Sequence, residues 1–325
     1  MSSEINSSIL SMPKADLHIH LNGIFNSGII REILFKENII LPSNFNPLKD
    51  CILTRRVNSL QHYFKPWEVL HLIPNQIDDL RTLVSSAFKY LVSENIKYVE
   101  LRSSIIYLSD LLKLSLEDTL NIIIEILNEC SNISLVDYSL IITIQRTCRA
   151  REDLSRILEA FCNIGKPNCI VALDLAGDEN FPVSKDLAQM FRKAKNELGM
   201  KITIHAGETG QIRSIYDALD FFSADRIGHG CAAVKDMKLI ERLSKEQICV
   251  EVCPISNYLT GAYTGTPPHI TFQKNDVPFV ICSDNPGIHQ KGLSEEYKQF
   301  LNEGGMKETL IKMFSEQMKY SFKRS

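Results

Sequence analysis

The chain has 325 residues, 44% of them hydrophobic and 23% charged, with 15 Gly and 12 Pro; this is enough apolar material for a sizeable core and excludes disordered, collagen-like and coiled-coil classes. A formal charge of -3, from 36 basic and 39 acidic side chains, supplies no field to draw in nucleic acid or anionic lipid. Nine scattered cysteines without a CxxC pair read as reduced thiols. The opening MSSEINSSILSM lacks the basic start and apolar core of a signal peptide, and no run approaches the roughly 20 apolar residues that span a bilayer, so a cytoplasmic location is expected.

Short β-branched or apolar runs alternate with longer stretches of helical spacing. ADLHIHL (15–21) is the first predicted strand. Residues 23–97 follow as one insertion, Pro/Asn-rich at LPSNFNP and then reading SLQHYFKPWEVLHLI, expected to lie as helices over the site like a lid. Within its end, Leu80, Leu83, Val84, Ala87, Phe88, Leu91 and Val92 form one helical face. YVELRSS (98–104) is the second strand. Ser115 and Asp118 look like a capping box opening the next helix. SLIITIQ (139–145) and CIVALDLAG (169–177) are strands three and four. A helix over 184–198 stops at Gly199, a carboxy-terminal cap signal. KITIHAG (201–207), RIGHG (226–230), ICVEVCP (248–254) and PFVICSD (278–284) complete the eight.

Near-continuous apolar strands separated by helices indicate a parallel sheet covered on its faces, and eight such units predict an α/β fold of the (β/α)8 TIM-type barrel class. A doubly wound open sheet is the alternative, but it gathers reactive residues at one switch point, whereas here polar groups follow nearly every strand. No linker, repeat or low-complexity tract divides the chain, so residues 1–325 are expected to form one domain.

Reactive residues fall at strand ends. His18 and His20 alternate with apolar neighbours, so both imidazoles point to one side. His205, His229 and Asp284 close the fifth, sixth and eighth predicted strands, where barrel enzymes keep their sites. Three imidazoles and a carboxylate, His18, His20, His205 and Asp284, suit Zn²⁺ with one position left for water. Glu208, three residues past His205, suits either a helix cap or an acid whose pKa burial raises. His229 suits either a further ligand or a base and orienter for water; spacing does not separate these roles. Gly177 and Gly207 allow a ligand close to the backbone or simply form turns.

The fragments MPKADLHIHLNG (12–23), YVELRSS, LDLAGDEN (173–180), ITIHAGE (202–208), RIGHG, VCPISNYLTGAY (252–263) and CSDNPG (282–287), in this order and spacing, resemble the adenosine/AMP deaminase family of metal-dependent hydrolases across essentially the whole chain. The resemblance implies a (β/α)8 barrel holding one Zn²⁺ through His18, His20, His205 and Asp284. It further implies that His229 and Asp284 orient and deprotonate a water activated by the ion, which attacks C6 of an adenine ring. Glu208 would protonate N1, and ammonia would leave to give inosine or deoxyinosine. His20, Asn22, Gly177 and Asn285 would meet the substrate, the Gly177 amide at N3. Phe64, Trp67 and Leu70 would form an apolar lid that excludes water.

Two positions depart from the commonest family pattern. Asn285 stands where a second aspartate often contacts N7; an amide donates there while staying neutral. Asn22 stands where nucleoside-specific members usually carry an aspartate for the ribose 5′-hydroxyl. A carboxylate there repels a 5′-phosphate and an amide does not, so Asn22 resembles the branch acting on N6-substituted AMP. HAGE, CPISNYLTGAY and SDNPG resemble the nucleoside enzymes. The expected substrates are therefore adenosine or deoxyadenosine first and a 5′-nucleotide such as AMP or N6-substituted AMP second, with neither nucleic acid nor membrane as partner. An amidohydrolase of a different C–N bond is separable by a panel including adenine and N6-methyl-AMP. A non-catalytic purine-binding or regulatory protein on the same scaffold is the alternative of another class, and has no need of stoichiometric zinc.

Overall fold

The computed structural model describes residues 3–57 and 60–324. Asn58 and Ser59 of the predicted insertion, and Met1, Ser2 and Ser325 at the ends of the predicted domain, lie outside the described residues. Eight strands run β1 (Lys14–His20), β2 (Ile96–Ser103), β3 (Asp137–Gln145), β4 (Ile170–Ala176), β5 (Lys201–Ala206), β6 (Arg226–His229), β7 (Cys249–Val252) and β8 (Phe279–Ile281). They pair in chain order, each parallel to the next. The last returns to the first through a parallel bridge between Ile19 and Asp284. There His20 N donates to Asp284 O at 2.9 Å and Asp284 N donates to His18 O at 2.8 Å. Closure on this seam identifies the TIM-type barrel and excludes the open sheet.

Helices cover the outside. α1 (Ser3–Ser11) precedes β1, and the β1–β2 connection holds α2 (Ser27–Lys36), α3 (Leu60–Tyr63), α4 (Trp67–Leu70) and α5 (Ile77–Ser93). α6 (Ile105–Leu112) and α7 (Leu116–Ser134) follow β2; α8 (Ala150–Asn163), α9 (Lys185–Leu198), α10 (Ile212–Asp220) and α11 (Met237–Lys245) follow β3 to β6 in turn. α12 (Pro254–Thr260) and α13 (Pro268–Lys274) link β7 to β8, and α14 (Pro286–His289), α15 (Leu293–Asn302), α16 (Lys307–Ile311) and α17 (Met313–Tyr320) end the chain.

The local signals explain the boundaries. Ser115 Oγ accepts from Asp118 N at 3.0 Å and donates to Asp118 Oδ2 at 2.8 Å, capping α7. Ser184 Oγ accepts from Leu187 N at 3.1 Å, and α9 ends at Gly199 with φ 66°, a left-handed cap open to glycine. β7 stops short of its predicted end because Pro254 starts α12 at its first turn, where the missing N–H costs nothing. β8 stops short because Asp284 takes φ 59°, outside strand geometry.

The 23–97 insertion divides in two. Its final helix, α5, buries Leu80, Leu83, Val84, Ala87, Phe88 and Leu91 and packs on β2 and α7, so it belongs to the outer ring rather than to the mouth. The short helices α3 and α4 lie at the carboxy-terminal end of the strands and, with the turn between them, contribute Tyr63, Phe64 and Trp67 to the cavity described below. None of the nine cysteines is paired; six are buried, while Cys148 and Cys162 are exposed. No helix among the described residues is long and apolar enough to cross a membrane.

Candidate active site

Alternation along β1 turns His18 and His20 to the same side of the sheet, β5 brings His205, and the turn three residues past β8 brings Asp284. One ligand atom from each of the four lies within 4.8 Å of all the others. His18 Nδ1 pairs with Glu251 Oε2 at 2.7 Å, and His205 Nδ1 with Asp174 Oδ1 at 2.9 Å. Each carboxylate accepts, so the ring proton sits on Nδ1 and the lone pair on Nε2. Burial lowers the His20 pKa to about 3 and that of His205 to about 4, which keeps both rings neutral. Yet His20 Nε2 stands 3.2 Å from His205 Nε2 and 3.4 Å from Asp284 Oδ1, and buried His18 Nε2, 3.5 Å from Asp284 Oδ1, makes no hydrogen bond. The buried, unpartnered Nε2 of His18 beside the Asp284 carboxylate is a donor atom that a cation held by this cluster would satisfy. The donor set, three imidazoles and one carboxylate, fits Zn²⁺.

Beneath these donors lies a layer of charge inside the barrel. Glu251 from β7 accepts from His18, from Arg226 Nε at 2.7 Å, from Thr203 Oγ1 at 2.9 Å and from Arg102. Arg102 also reaches Asp174, with 3.3 Å between Nη1 and Oδ1, and Arg226 reaches Glu100. All five charged groups are buried. Burial opposes ionisation of Glu251, but Arg102 and Arg226 hold its carboxyl well below the usual range. A second anchoring carboxylate, Asp16, accepts from Ser283 Oγ at 2.5 Å and fixes the turn that carries Asp284.

Two of the residues facing the site sit in strained backbone: His229 has φ 63° and Asp284 φ 59°, in the left-handed region that non-glycine residues rarely adopt. His229 Nδ1 bonds Asn257 Oδ1 at 2.8 Å, leaving Nε2 3.9 Å from Glu208 Oε2. Glu208 is positioned by Gly207, with φ 82°, where a Cβ would meet Ile215 at 2.7 Å. Its own N–H donates to Glu179 Oε1 at 2.7 Å. The carboxylate that anchors this turn is Glu179, which also accepts from Gly207 N, Thr209 and Ser214, and the next helix starts after Gln211 without a side-chain cap from Glu208. Burial pushes the Glu208 carboxyl above its ordinary value.

These groups face a cavity of about 510 Å³ lined also by Asn22, Arg146, Gly177, Asn285, Phe64 and Trp67. Leu70 is not part of that lining; it is buried in the core. Asn285 donates from Nδ2 to Tyr63 Oη at 3.1 Å, while its Oδ1 rests against Gly23, where a Cβ would stand 2.0 Å away. Tyr63, Glu251, Asp174, Arg102 and Asn257 were not anticipated as site residues. For Arg102, Asp174 and Glu251 the signal was present: a charged side chain inside an apolar strand needs a buried partner. For Tyr63 and Asn257 no signal in spacing exists, because irregular backbone brings them in.

The profile of the family described as adenosine deaminase matches residues 13–324. The chain is 29% identical over 295 residues to the adenosine deaminase of Vibrio vulnificus strain YJ016, covering 89% of this chain and 87% of that one. In fold it resembles an amidohydrolase from Burkholderia ambifaria with bound Zn, at TM-score 0.85 and 16% identity over 99% and 89% of the two chains. It also resembles the N6-mAMP deaminase of Arabidopsis, at TM-score 0.80 and 23% identity over 98% and 96%.

Proposed function

The chain belongs to the adenosine deaminase family, and on that premise we propose that it hydrolyses the exocyclic C–N bond of adenosine or deoxyadenosine, releasing ammonia and leaving inosine or deoxyinosine. The observation that carries the reading is the convergence of His18, His20, His205 and Asp284 at the floor of a cavity that Glu208 and His229 also face. One Zn²⁺ on those four side chains would act as Lewis acid and lower the pKa of a water. The Zn-bound amidohydrolase of the same fold supports this choice of ion.

The protein's own groups do the rest. Asn257 accepts from His229 Nδ1 and so leaves Nε2 free to orient and deprotonate water aimed at C6, with Asp284 on the other side. Glu208, whose carboxyl burial pushes above its ordinary value, donates to N1 as the ring loses aromaticity. The Gly177 amide would donate to N3, and His20 would flank the ring. Asn285 gives one Nδ2 proton to Tyr63 and keeps the second for N7. Phe64 and Trp67 close the apolar side and exclude water.

A second reading, a 5′-nucleotide such as AMP or N6-substituted AMP, is favoured by Asn22, which lines the cavity without the charge that would repel a phosphate, and by Arg146, whose buried Nε lacks a partner. It is also the substrate class named for the Arabidopsis structure. Release of ammonia from adenosine, deoxyadenosine, adenine and AMP, and of methylamine from N6-methyl-AMP, is to be measured with the zinc-loaded protein. The first reading expects the nucleosides to lead, and a nucleotide preferred at least tenfold moves the assignment to the second. Substoichiometric zinc with no turnover of any of the five refutes both and leaves a non-catalytic protein.

A further inference from the structure

Tyr63 reaches the site from α3 in the β1–β2 connection, and its phenol stands within hydrogen-bond distance of four polar groups: Asp284 Oδ2 at 3.3 Å, His289 Nε2 at 3.0 Å, Asn285 Nδ2 at 3.1 Å and Ser256 Oγ at 3.2 Å. All are buried. A phenol has one proton to give and two lone pairs to receive with. Asn285 Nδ2 only donates and takes one lone pair. An ionised Asp284 only accepts, so it takes the proton. His289, whose Nδ1 has no partner, is then required to carry its proton on Nε2 and fill the second lone pair. The contact to Ser256 is left over, because Ser256 gives its own proton to Asp284 Oδ2 at 2.6 Å.

The two fixed ends of this network therefore set its direction: His289 and Asn285 donate to Tyr63, and Tyr63 and Ser256 donate to Asp284 Oδ2. With Oδ2 held by two hydroxyls, Oδ1 is the oxygen turned to His18 and His20. We propose that Tyr63 is a positioning residue, which fixes the rotamer of Asp284 and ties the seating of the α3–α4 cover to the geometry of the donor cluster. The dependence runs from cover to cluster, since a cover lifted off the mouth withdraws the phenol and frees one Asp284 oxygen. An aspartate at 285 would compete with Asp284 for the one phenolic proton; the neutral amide present here does not.

The cover carries its own reporter. Trp67 is the single tryptophan of the chain, and its ring lies 5.5 Å from that of Tyr63 and 5.6 Å from that of Phe64, so its emission reads whether the cover is seated. The test is Tyr63→Phe in the full chain, with zinc release to a chelator, steady-state kinetics and Trp67 emission measured together. The inference, which rests on the hydrolase reading, expects kcat to fall about 10- to 100-fold and zinc to be held about 10-fold less tightly, with KM and emission close to wild type. Unchanged zinc release and kcat overturn it. A raised KM with shifted emission and unchanged zinc release also overturns it, because the ring then only packs the cover. Should Tyr63→Phe not fold, His289→Leu removes a donor that orients the phenol; it is expected to speed zinc release about threefold, and wild-type release overturns the inference. Failure of the hydrolase reading looks different: the wild-type protein turns over no purine, while the zinc-release comparison still reports on Tyr63.

Discussion

Glu251→Gln tests whether the charge under the donor cluster organises it. The carboxylate takes two donors on each oxygen: His18 and Arg102 on Oε2, Thr203 and Arg226 on Oε1. An amide of the same shape turns one oxygen into a donor, so whichever way it lies, two donors face an NH2 group. Glu251 is also, among the described residues, the one carboxylate that pairs with both buried guanidinium groups, Arg102 and Arg226, so each of them loses an ionic partner. Removing one partner from a buried network costs about 3–5 kcal/mol. With an unfolding entropy of about 2.1 cal/mol/K per residue, this lowers Tm by roughly 4–7 °C. His18 also loses the acceptor that fixes its tautomer, which is expected to weaken zinc binding about 10- to 100-fold. Thermal melts of the zinc-free protein read the first effect and chelator competition the second. A variant that melts within 1 °C of wild type and holds zinc equally well would refute the argument.

Glu208→Gln should keep stoichiometric zinc while turnover falls about 10²- to 10⁴-fold; an active variant removes Glu208 as the acid. Burial raises the folded-state pKa of this carboxyl, so its contribution to stability is present at low pH and lost as pH rises through that raised value. The zinc-free Gln variant should therefore gain Tm over wild type more at pH 8 than at pH 5, and a pH-independent difference contradicts the shift. His18→Ala should lower bound zinc per chain by elemental analysis, and full occupancy would take His18 out of the ligand set. Asn22→Asp should move the ratio of AMP to adenosine turnover toward adenosine about tenfold, the effect of roughly 1 kcal/mol or more between charges at close range; an unchanged ratio removes the charge argument.

The parts of the molecule governed by periodicity were legible in the sequence. Apolar runs marked every strand, Ser115 and Ser184 marked helix starts, and the HxH alternation put two imidazoles on one side because a strand has a period of two. What escaped was set by tertiary packing. The α5 face read correctly as a helix, yet its place in the outer ring depends on β2 and α7, which no local pattern encodes. His229 and Asp284 take left-handed backbone that no glycine marks in the sequence, so the predicted β8 runs past the observed one. Spacing does not separate capping from acid chemistry at Glu208, because the carboxylate that anchors its turn, Glu179, lies 29 residues upstream.

The bridge between Ile19 and Asp284 gives assembly a direction in time. A nascent chain emerges from its amino end, so His18 and His20 leave the ribosome long before Asp284 is made, and no shorter intermediate can unite them. The seam that shuts the cylinder and the grouping of the four ligand side chains are thus one late event, and a truncation behind Ile281 would forfeit both together.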